Sequence, residues 1–125
     1  MGKHNLKAAK WYTRAADRGH LLAKAALAEM YLSGRGVQKD VQHALDLAKD
    51  LSTQKDCYRL QLAIGELYEK GVDVKKDMRK AVEWYYSSAV HGSGFARERI
   101  QQMYQAGDPV EWDEAKAGQF ARNPY

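Results

Sequence analysis

The chain has 125 residues, 45% of them hydrophobic, a single cysteine and a formal net charge of +4. That length suits one domain with a modest core. The lone Cys57 excludes an intramolecular disulfide, and no run of about 18 apolar residues offers a membrane span.

Seven helices are predicted in chain order, at 5–18, 21–33, 41–54, 57–70, 78–91, 94–106 and 113–122. In the first, Ala8, Trp11, Tyr12, Ala15 and Ala16 share a helix face, and Gly19 ends it. The second carries Leu27 and Tyr31 and stops at Gly34; Val37 follows in the loop, and Asp40 is placed to cap the third helix. The third helix holds Ala44, Leu47 and Ala48, with Leu51 and Ser52 near its end and Lys55 at the stop. The next turn of the pattern repeats the second in kind: Ile64 and Tyr68, then Gly71, Val74 and Asp77. Ala81, Trp84, Tyr85 and Ala89 follow and end at Gly92; Ile100 and Tyr104 then lead to Gly107, Val110 and Asp113, and Ala117 and Phe120 close the series.

The tyrosines Tyr31, Tyr68 and Tyr104 are spaced by 37 and then 36 residues, and glycine, valine and aspartate recur behind each at nearly constant offsets. A period of that size signals stacked helix pairs rather than one irregular core. Each valine reads as a plug beneath two helices. The Trp and Tyr stripe recurs at the repeat period, so it reads as core and not as a sugar-binding cage. Residue 1 falls where a loop valine would stand, so the chain starts in mid-unit. The expectation is a trimmed parent or a lone capping helix. Either way part of the Trp11–Tyr12 face should lie uncovered and favour self-association through the N-terminal helix.

Gly34-Arg35-Gly36-Val37 with Asp40, and Trp11-Tyr12 with Ala15-Ala16 and Gly19, resemble the Sel1-like repeat family, over about residues 3–120. The resemblance implies an all-α fold, an α/α solenoid of about three helix-turn-helix repeats in a right-handed superhelix like that of tetratricopeptide repeats. It divides a single domain, 1–125, into a half unit 4–19 and units 20–55, 56–92 and 93–122. Leu51, Ser52, Lys55, Pro109 and Trp112 depart from the pattern, and the local packing there is expected to differ. Bacterial and eukaryotic members of the family mostly act as assembly platforms or signalling adaptors, and some bacterial ones bind host or toxin proteins. A non-catalytic scaffold, adaptor or regulator binding another protein or peptide in a concave groove is therefore expected. The alternatives are a cell-wall-related or hydrolytic enzyme of the family, or nucleic-acid binding.

No catalytic, cofactor or metal constellation stands out. His4, His20, His43 and His91 are scattered, with no pair at i, i+4, and Ser52-Thr53 and Ser87-Ser88 have no local base. His20 and His91 adjoin helix-ending glycines, where a partly charged ring is favourable. Cys57, between Lys55 and Arg59, reads as a small residue at a helix start. Residues 1–28 hold Lys3, Lys7, Lys10, Arg14, Arg18 and Lys24 against Asp17 alone. Without a recognition helix or aromatic interleaving this reads as a solvated basic face, not a nucleic-acid site. Subtracting the core pattern leaves one variable stripe per unit: Leu22, Ala25, Glu29 and Leu32; Arg59, Leu62, Glu66 and Glu69; Phe95, Glu98, Gln102 and Gln105. These are the expected groove floor, with Leu22, Leu32 and Phe95 as apolar anchors and the glutamates as an acidic rim.

Overall fold

The computed structural model describes the backbone of residues 3–105 and the side chains of residues 6–105. Among these residues it is all-helical: α1 Lys3–Asp17, α2 Leu21–Ser33, α3 Val41–Ala48, α4 Tyr58–Lys70, α5 Met78–Val90 and α6 Gly94–Gln105, with a single 3-10 turn at Lys55–Cys57. The predicted helix at 113–122 and the loop of Gly107, Val110 and Asp113 lie outside the described residues. Contacts divide the chain into two units, Met1–Leu51 and Ser52–Tyr125.

In the first unit α2 packs against α1 on one side and α3 on the other. Ala16, Ala23 and Leu27 form the contact, edged by Ala15, Tyr31 and Leu47. Small side chains let the helix axes approach, and the larger ones fill the margins. The second unit repeats the arrangement with α5 between α4 and α6. Its core is Ala81, Val82, Tyr85, Tyr86, Ala89, Ala96, Ile100 and Met103. Gly65 is part of this fit: a Cβ there would stand 2.7 Å from two ring carbons of Tyr85.

The two complete loops are copies of each other. Gly34 and Gly71 adopt left-handed φ of 73° and 71° and return their N–H groups to the Met30 and Leu67 carbonyls, at 2.7 and 2.8 Å. The Asp40 and Asp77 backbones donate to the Tyr31 and Tyr68 carbonyls, and their carboxylates cap α3 and α5 by accepting from the His43 and Lys80 N–H groups. Val37 and Val74 are half-buried between stop and start.

Four expectations need correction. α3 ends at Ala48, not near residue 54. The segment after it is held in a non-helical path, because the buried Gln61 amide donates to the Ser52 and Gln54 carbonyls at 3.2 and 3.1 Å. The Trp11–Tyr12 face lies uncovered as expected, with Trp11 70% and Tyr12 38% exposed, so Trp11 is not the core residue that the aromatic stripe of the repeat implied. Among the described residues its helix packs mainly on α2, whereas α5, which carries the half-buried Trp84, is flanked on both sides. Tyr104 is 57% exposed where Tyr31 and Tyr68 are half-buried. Those two rings rest on residues of the following helix, Tyr31 on His43 with centroids 4.2 Å apart and Tyr68 under the Lys80 ammonium. Finally, the His91 ring does not favour charge. Burial lowers its pKa below the usual value, the Lys55 cation lowers it further, and a backbone contact with Ser87 only partly opposes them. Cys57 is buried, in keeping with a packing role.

Candidate functional site

The variable stripes are distributed over both units. In the first, Leu22 is 60% exposed and Glu29 is exposed, Leu32 is half-buried, and Ala25 is buried in α2 and contributes no surface. In the second, Leu62, Glu66 and Glu69 of α4 meet Phe95, Glu98 and Gln102 of α6 around an open cleft of about 430 Å³. Arg59 and Gln105 are exposed but do not line it. The helical spacings explain the gathering: i, i+4, i+7 on α4 and i, i+3, i+7 on α6 each keep three side chains on one face. With α5 packed between α4 and α6, its Tyr85 forms part of the cleft wall.

Three lining residues were not among the expected set: Lys70, Tyr85 and Arg99. Lys70 is legible in hindsight as the i, i+4 partner of Glu66, at 3.6 Å on the surface. Tyr85 reads correctly as core, but its hydroxyl donates to Glu69 Oε1 at 2.5 Å, a contact 16 residues away. Arg99 meets Glu69 across 30 residues, with Nε donating at 3.0 Å and the terminal nitrogen pairing with the second carboxylate oxygen. No local signal marks such a pair.

The electrostatics follow from these partners. Glu69, with its side chain only 16% exposed, satisfies its charge with the Arg99 fork and the Tyr85 hydroxyl. Burial raises the Tyr85 pKa well above the ordinary phenol value, and the nearby Glu66 charge raises it further, so the hydroxyl stays a donor. Glu98 makes no ion pair or hydrogen bond among the described residues, and Glu66 has only the exposed Lys70. Phe95, 78% exposed, stands at the rim beside these carboxylates. The site thus offers a half-buried aliphatic floor, an aromatic rim and the carboxylates of Glu66 and Glu98 beside a hydrogen-bonded Tyr85–Glu69–Arg99 network. Among the described residues no group of three or more His, Cys, Asp or Glu is placed to hold a metal ion. No described helix is long and apolar enough to cross a membrane.

Comparison with known proteins follows the same lines. The family model described as Sel1 repeat matches residues 5–20, 21–49, 59–93 and 102–122. Chitin synthase regulatory factor 3 of Schizosaccharomyces pombe is 33% identical over 95 residues, 74% of this chain and 10% of that protein. Protein sel-1 homolog 2 of Rattus norvegicus is 29% identical over 105 residues, 84% of this chain and 15% of that one. Among solved structures, a Sel1 repeat protein from Oxalobacter formigenes superposes with a TM-score of 0.73 at 34% identity, covering 93% of this chain and 47% of its own. A protective antigen of uropathogenic Escherichia coli, displaying the SLR fold, gives 0.69 at 25% identity, with 91% and 24% covered. The chain therefore spans a small part of the length of its curated relatives.

Proposed function

Because the chain belongs to the Sel1 repeat family, an α/α solenoid fold that generally serves as a protein-interaction module, we propose that it is a non-catalytic scaffold, adaptor or regulator whose second unit docks a protein segment in the α4–α6 cleft. The cleft is the observation that carries this reading. It joins the exposed Phe95 ring and the Leu62 floor to the carboxylates of Glu66 and Glu98. An apolar anchor beside charged groups is how a preformed groove takes a peptide or helix: the anchor supplies affinity and the charges select the partner. The braced Glu69–Arg99 pair supports it too, since a wall that need not reorganise costs less on binding. The name of the fission-yeast relative, a regulatory factor, is consistent with an adaptor role. The first-unit residues Leu22, Glu29 and Leu32 extend the proposal as a separate contact surface.

Selection of a displayed random-peptide library on the wild-type chain and on a Phe95→Asp variant tests the reading. Phe95 is exposed, so the substitution leaves the fold intact. Peptides that bind the wild type and lose at least about tenfold, roughly 1.4 kcal/mol, on the variant are expected. A library that yields no Phe95-dependent binder would count against the cleft as a docking site.

A further inference from the structure

The chain carries both halves of a matching pair of surfaces. On α1, Trp11 is 70% exposed, with Lys7 one turn before it and Arg14 one turn after it, both exposed on the same side of the helix. Buried Ala9 and Ala16 lie on the opposite side, against α2. The exposed face is thus one large aromatic flanked by two cations, with Lys10 also exposed between them. The cleft of the second unit is its complement: Phe95 and Leu62 flanked by Glu66 and Glu98.

Resting on the reading of that cleft as a protein-docking site, we propose that its occupant is the α1 face of a second copy of this chain, with Trp11 against Phe95 and Leu62 and with Lys7 and Arg14 on Glu66 and Glu98. Size and charge both fit. A cleft of about 430 Å³ has room for an indole and the ends of its neighbours. Seven residues of helix separate Lys7 from Arg14 by about 10 Å of rise, which sets the two cations on either side of Trp11 along one face. Glu69 is already engaged by Arg99, Glu66 has only an exposed pair with Lys70 at 3.6 Å that an incoming cation can replace, and Glu98 has no ion pair among the described residues. A symmetric contact of α1 with α1 would instead oppose Lys7, Lys10 and Arg14 to themselves. The contact is heterologous, pairing two different surfaces of the chain.

Two charge-reversed variants, Lys7→Glu with Arg14→Glu and Glu66→Lys with Glu98→Lys, test this by sedimentation. None of the four side chains is buried, and circular dichroism of both variants checks that they fold. Wild-type mass should grow with concentration up to about 1 mM, where even a weak contact is half populated, and fall back in about 0.5 M salt, which screens exposed charge. Each variant alone should stay monomeric. Their equimolar mixture should regain association, because one supplies the native cleft, the other the native helix, and the reversed faces match each other. A monomeric wild type, a variant that associates like the wild type, or a mixture that stays monomeric each overturns the proposal. If the wild type is monomeric yet selects Phe95-dependent peptides, the second copy is wrong and the docking cleft stands.

Discussion

Gly65 shows how a single residue sets the packing of a helix pair. The Tyr85 ring occupies the space a side chain would need, and the Ala81 carbonyl stands 3.2 Å from the same point. Alanine at 65 gains about 1 kcal/mol of helix propensity, but must displace a ring that is 1% exposed and hydrogen-bonded to Glu69. Overpacking of this kind costs about 1–3 kcal/mol. The Gly65→Ala variant is expected to be less stable by about 1–2 kcal/mol in urea unfolding, and equal or greater stability would contradict the fit. His91 carries a pH dependence. The Gln61 amide gives its N–H groups to two carbonyls, so its oxygen accepts from His91 Nδ1 at 3.1 Å and the other ring nitrogen is left unprotonated. Because the folded pKa is lowered, the unfolded chain takes up the proton first on acidification. The His91 contribution is complete above about pH 6.5 and is lost as pH falls through the lower folded value. Urea midpoints between pH 7.5 and about 5 should fall for the wild type and fall less for His91→Gln.

At the scale of elements, the helix ends are the most regular part of the molecule. The caps of α3 and α5 match within 0.1 Å, with Asp40 accepting at 3.0 Å and Asp77 at 3.1 Å. Asp77→Ala is expected to cost about 1 kcal/mol, as loss of an N-cap does elsewhere, and Asp77→Asn should recover most of it in thermal unfolding. The second loop departs from the first at one point: Asp73, with φ of 61°, stands where the first has Gly36, with φ of 75°. Aspartate tolerates that conformation better than most residues, so the loop keeps its path. The early end of α3 has a different origin. Leu51 and Ser52 replace the small residues expected there, and Gln61 provides side-chain partners for carbonyls that a helix would have used internally.

For the molecule as a whole, a repeat position determines a role only where neighbours exist on both sides. Trp11 and Trp84 occupy the same place in the pattern, yet Trp11 is exposed and Trp84 is half-buried. Trp11→Ala should therefore change the stability of the dilute protein by no more than about 0.5 kcal/mol. Tyr85→Ala, inside a flanked helix, should cost about 3–5 kcal/mol. Chemical denaturation of both at the same low concentration checks the contrast, and a large loss at Trp11 would mean that its face is covered in solution.

The sequence by itself determined the all-α repeat, its period, the left-handed stops at Gly34 and Gly71 and the caps at Asp40 and Asp77. The stops and caps rest on contacts within about ten residues, so a local pattern encodes them, and the period shows because that pattern recurs. It also marked the faces of α4 and α6 that meet in the cleft, because helical periodicity puts their variable residues on one side. Only the tertiary structure decided what those faces become. The Arg99–Glu69 and Tyr85–Glu69 contacts join residues 30 and 16 positions apart, and the exposure of Trp11 depends on a neighbouring helix. Such outcomes follow from how whole helices pack, and residue spacing along one of them carries no record of the other.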